Sequence, residues 1–154
     1  YLVFEALECH GGPGYIEESI MPRLYREAPV NSIWEGSGNV ISLDVLRAIS
    51  REPQVVSVFM AEVEKARGGN ANLDQIIDDL HREFNDLDDL EVRMRMITEM
   101  MALTLQGALL VQHAPAPVAN AFCASRLAPR YRGAFGTLPR GCDLDAIIAR
   151  AIPG

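Results

Sequence analysis

An all-α fold, a helical bundle, follows from three observations on this 154-residue chain. Apolar side chains recur at three- and four-residue intervals in every long segment. No segment alternates apolar and polar residues as a half-buried strand does. Gly, Pro and Asn cluster at the ends of the periodic segments, where helices start and stop.

Taken in order, Tyr1 to Cys9 reads as a helix stopped by Gly11-Gly12, and Ile16 to Glu27 as a short helix halted before Pro29, so a glycine loop joins the two. From Gly38 to Ser50, Val40, Ile41, Leu43, Val45, Leu46 and Ile49 predict a mostly buried helix. Pro53 then fits the first turn of the next helix, which ends at Gly68-Gly69. Asn72 is a suitable cap for a helix whose inner face is Leu73, Ile76, Ile77, Leu80, Phe84 and Leu87 and whose other face is acidic. Leu90 to His113 is the longest and most apolar segment and carries two apolar stripes, which predicts a central helix covered on more than one side. Its methionines read as plastic core filling, and His113 as a helix-end residue. Pro115 and Pro117 open another helix running to Leu127, a loop rich in Gly, Pro and Arg covers Pro129 to Gly141, and a last short helix uses Leu144, Ile147, Ile148 and Ala151.

The length suits a single helical domain over residues 1–154, with one substantial core. Tyr1 to Leu7 is already apolar, helix-forming sequence with no initiator methionine, so the chain reads as a fragment of a larger protein. No uninterrupted apolar run reaches the ~18 to 20 residues a bilayer requires, and no cationic segment precedes an apolar one; the expectation is a cytoplasmic protein with no membrane partner. Cys9, Cys123 and Cys142 are odd in number and lack CxxC spacing, which predicts reduced thiols, no disulfide framework and no metal site. The net charge of −7 conceals an asymmetry: residues 1–113 carry nineteen acidic and nine basic side chains, residues 114–154 five arginines and two aspartates. Arg126, Arg130, Arg132 and Arg140 are spread out with few aromatics between them, which fits a solvated or salt-bridged loop better than a nucleic-acid surface.

The candidate chemistry lies near residue 35. Glu35 stands between the bulky apolar pair Ile33-Trp34 and the glycine-rich Gly36-Ser37-Gly38. Apolar neighbours disfavour a carboxylate's charge and so make it a stronger base, while glycines let backbone come close to a ligand. Ser32-Ile33-Trp34-Glu35 also fits a capping box, with Ser32 capping a helix and Glu35 folding back on its amide. Against that, Gly36 and Gly38 would then occupy the first turns of the helix; a start at Gly38 with Ser37 as cap leaves Glu35 in the approach loop.

The segment Glu8-Cys9-His10-Gly11-Gly12-Pro13-Gly14-Tyr15 resembles the glycine loop of acyl-CoA dehydrogenases, and Arg23-Leu24-Tyr25-Arg26 followed by Trp34-Glu35-Gly36-Ser37 resembles their catalytic segment. The order and spacing of these pieces make the match specific over the first fifty residues. The resemblance implies the C-terminal four-helix-bundle type of that FAD-dependent family, with residues 1–50 as the base-bearing, FAD-edge segment and 51–154 as a helical extension. It implies that Glu35 is the catalytic base for an acyl-CoA thioester, that Gly36 and Ser37 lie beside substrate carbonyl and flavin, and that Gly11 and Gly12 meet the FAD of a neighbouring subunit. Homodimers or homotetramers are implied with it, and FAD is expected to be absent from this chain alone. Two positions depart from the family pattern: Glu8 stands where Gln is usual, and Ser42 where Arg is usual. The extension, together with Met21-Pro22-Arg23-Leu24-Tyr25-Arg26-Glu27 and Val30-Asn31-Ser32-Ile33-Trp34-Glu35-Gly36-Ser37-Gly38-Asn39, is similar to the AidB branch of the family, alkylation-response flavoproteins that resemble isovaleryl-CoA dehydrogenase and bind DNA, so DNA is a second implied partner.

Overall fold

In the computed structural model, which describes residues 1–129 and 134–152, every regular element is helical. The chain divides into two compact units, Tyr1–Ser42 and Leu43–Gly154, and the division falls inside one helix.

The first unit holds α1 (Leu2–Cys9), α2 (Gly12–Tyr15), α3 (Met21–Glu27), a 3₁₀ turn over Ala28–Ser32, and the start of α4 (Gly38–Arg51). The predicted helix from Ile16 is shorter than expected and begins at Met21. Pro22 lies in its first turn, where a missing N–H costs nothing, and the Ser19 hydroxyl accepts the Met21 N–H at 3.3 Å. α2 sits directly on the end of α1: a Cβ on buried Gly14 would lie 2.3 Å from the Leu7 carbonyl oxygen, so only glycine fits there. The Phe4 and Tyr25 rings join α1 to α3 with centroids 6.2 Å apart. Only Gly14, Met21, Pro22 and Ser42 are buried in this unit, while Leu2, Ile20, Val30, Ile33 and Trp34 are more than half exposed.

The second unit comprises the rest of α4 with α5 (Gln54–Glu64), α6 (Ala71–Asn85), α7 (Leu90–His113), α8 (Ala116–Phe122), a π-helical turn over Cys123–Leu127, and α9 (Leu144–Ala151). Val63, Leu73, Ile77, Leu80, Met94, Ile97 and Cys123 are fully buried in its core. Val45, Leu46 and Ile49 pack on that core from α4. The cap of α6 is Asn70 rather than Asn72: the Asn70 side chain accepts the Asn72 N–H at 3.0 Å, two residues earlier than the apolar spacing suggested. Leu87 falls beyond the end of α6 and is exposed, so the inner face stops at Phe84. α5 ends at Glu64, and turns carry the chain through Gly68-Gly69. α9 buries none of its residues.

α7 is the central helix, in contact with α5, α6, α8 and the π turn. Contrary to the expectation, its 24 residues are long and apolar enough, by length and composition alone, to cross a membrane. In this fold Met94, Ile97, Gly107 and Ala108 are buried in the bundle. Gly107 admits a close approach, since a Cβ there would meet Leu127 Cδ1 at 2.8 Å. Buried Thr104 is satisfied within the helix, its hydroxyl donating to the Met100 carbonyl at 2.7 Å. Met100 and Met101 pack on the core as filling, whereas Met96 is exposed. Burial pushes the Cys123 thiol up to about 11, so it stays protonated; Cys9 is exposed and Cys142 half-buried, and all three are free.

An ion network joins α5 to α6. Arg67 donates to Glu64 at 2.8 Å and to Asp78 at 3.0 Å, and His81 Nε2 lies 3.0 Å from Glu64 Oε1. The Arg67 hydrogen bond, with help from His81 and against the cost of burial, holds the Glu64 carboxyl at about 2, below its ordinary 4.5. A carboxyl depressed by folding contributes stability that is fully present above its unfolded value and is lost as pH falls through the folded one. Glu64→Gln is therefore expected to cost about 1 kcal/mol at pH 7, screened because the pair is one-third exposed, or about 3 °C in Tm. Melting curves of the two forms should converge as pH falls from 4.5 to about 2. A difference that persists unchanged at pH 2 would show that the charge of Glu64 is not what stabilises the fold.

Candidate functional site

Glu35 lies on the short non-helical passage between the 3₁₀ turn and α4. Local hydrogen bonds shape that passage. The Ile33 and Trp34 amides both donate to the Val30 carbonyl at 3.0 Å, and the Gly36 amide donates to the Ile33 carbonyl at 2.9 Å. The turn leaves Gly36 at φ 121°, a conformation in which a Cβ is strained, so glycine is required at this position. The Ile41 amide then donates to the Ser37 carbonyl at 3.0 Å, and α4 is under way.

The capping box is not formed. The Ser32 hydroxyl donates to the Pro29 carbonyl at 2.8 Å inside the 3₁₀ turn, and the helix begins at Gly38, as the two glycines indicated. Glu35 is left in the approach loop, exposed, and among the described residues no ion pair engages its carboxylate. The apolar surround suggested by Ile33 and Trp34 is not assembled in this unit, because those side chains are 65% and 69% exposed. The Gly36 N–H is likewise committed to Ile33 rather than presented to a ligand.

At the glycine loop, Gly11 has φ 61° and its amide donates to the Glu8 carbonyl at 3.0 Å. A Cβ at Gly11 or Gly12 would meet nothing within 4 Å, so this stretch is bare backbone open to solvent. The two departures from the family pattern have different settings. Glu8 is exposed at the end of α1, whereas Ser42 is buried and its hydroxyl donates to the Gly38 carbonyl at 2.8 Å. Ser42 thus closes on its own helix and leaves no side chain to reach another element.

Two features of this unit had no distinct signal in the sequence. Glu17 and Arg26 form a two-pronged ion pair, with Nη1–Oε1 2.6 Å and Nη2–Oε2 3.2 Å. The Arg26 hydrogen bond holds the Glu17 carboxyl below its ordinary range, and the Glu17 hydrogen bond raises Arg26. The pair borders a cavity of about 580 Å³ whose apolar walls include Phe4, Tyr15, Pro22 and Tyr25. Which residues meet there depends on the turn at Gly12–Tyr15, and helical periodicity does not encode that turn.

Arg130 and Arg132 lie outside the described residues, and the Arg126 guanidinium sits 5.3 Å from the centre of the Phe135 ring. Among the described residues no group of three or more His, Cys, Asp or Glu side chains is placed to hold a metal ion.

Residues 1–50 match the family model described as acyl-CoA dehydrogenase, C-terminal domain. The chain is 40% identical over 121 residues to the putative acyl-CoA dehydrogenase AidB of Escherichia coli K12, an alignment covering 79% of this chain and 22% of that protein. It is 34% identical over 132 residues to acyl-CoA dehydrogenase family member 11 of Caenorhabditis elegans, covering 73% of this chain and 21% of that protein. The chain therefore spans about a fifth of the length of these relatives.

Proposed function

With residues 1–50 belonging to the acyl-CoA dehydrogenase C-terminal domain family, we propose that this chain is the C-terminal part of an FAD-dependent acyl-CoA dehydrogenase-like oxidoreductase and that Glu35 is its catalytic base. The observation that supports the reading most is the setting of Glu35: a carboxylate outside any helix, unpaired among the described residues, between a hydrogen-bonded turn and the start of α4. In this role Glu35 takes the proton alpha to the thioester carbonyl of an acyl-CoA. Bound FAD would supply the acceptor for the beta-carbon hydride. Excluding water from Glu35 strengthens it as a base, and since Ile33 and Trp34 are exposed here, that covering comes from other parts of the whole protein.

The residues present fit one edge of a flavin site and no more. Gly11 and Gly12 offer open backbone, and Gly36 and Ser37 lie in the passage that leads into α4. These four residues supply only that edge, and on this reading the 154-residue chain alone is flavin-free and inactive. Residues 1–50 form the base-bearing segment of this reading, and residues 51–154 a helical extension. The same reading places the protein in the cytoplasm, where its three thiols stay reduced.

Anaerobic titration of the full-length protein with a panel of acyl-CoA thioesters tests the proposal. At least one thioester is expected to bleach the flavin absorbance stoichiometrically. A flavin that no thioester reduces, but that dithionite does, would overturn the dehydrogenase assignment.

We also propose that the protein is a homodimer or homotetramer. The support is the apolar surface on α1, α3 and the Val30–Trp34 stretch, since contiguous patches of several hundred Å² drive association. Light scattering on the 154-residue chain at micromolar concentration should give at least twice its 16.9 kDa. A strict monomer would remove the oligomer-core role.

A further inference from the structure

We draw no further inference here: the strongest candidate, the cavity of about 580 Å³ among α1, α2 and α3 lined by Phe4, Leu7, Tyr15, Ile16, Pro22 and Tyr25, is an open apolar surface, and nothing in the structure shows what covers it.

Discussion

Glu35→Gln in the full-length protein is expected, on the proposed function, to retain flavin and fold while slowing thioester-driven flavin reduction by about a thousand-fold or more, the scale on which a required base acts. The substitution keeps shape and removes only the ability to accept a proton. Its effect on stability should be within about 0.5 kcal/mol, because Glu35 is exposed, caps no helix and has no ion-pair partner among the described residues. Stopped-flow reduction beside a thermal melt separates the two effects. Reduction at the wild-type rate would remove Glu35 from the chemistry. Slow reduction accompanied by a large fall in Tm would assign it a structural role instead.

The largest stability effect is expected in the second unit. Leu80 is fully buried on α6, within the cluster that includes Val63, Leu73, Ile77, Met94 and Ile97. Leu80→Ala removes apolar contact and leaves a cavity that rigid helices close only in part, at a cost of about 3 kcal/mol. For a protein of this size that corresponds to about 10 °C in Tm. Ile148→Ala on α9 is the control: Ile148 is 59% exposed, and its loss should stay within about 0.5 kcal/mol. Equal small shifts for the two variants in calorimetry would mean that the α6–α7 core is not where the stability resides.

The helices were legible because burying a face demands a three-four repeat, and the repeat is plain enough to place Leu73 and Ile77 of α6 in the core and to mark α7 as the central helix. Helix ends were less legible. Asn70 and Asn72 are chemically equal candidates for a cap, and only the backbone turn after Gly69 selects the first. Likewise Ser19 and Pro22 delay α3 beyond Ile16, a choice made by local hydrogen bonding that apolar spacing does not report. At the candidate site, Gly36 and Gly38 correctly placed Glu35 in a loop, since two early glycines weaken a helix starting at Ile33. Its surroundings were not legible. Ile33 and Trp34 advertise burial by type, but a side chain is buried only where a partner surface exists, and here both remain exposed.

The order of packing in the second unit bears on how it folds. α5 meets α6, α6 meets α7 and α7 meets α8, each pair joined by a short connection. Each contact therefore closes a small loop, and the entropy of closure rises only with the logarithm of loop length. A chain whose native contacts are mostly local needs little conformational search, and helical domains of this kind fold in microseconds to milliseconds. Val63, Leu80 and Met94 can thus find one another as soon as the segment from α5 to α7 is available, without waiting for the rest of the chain.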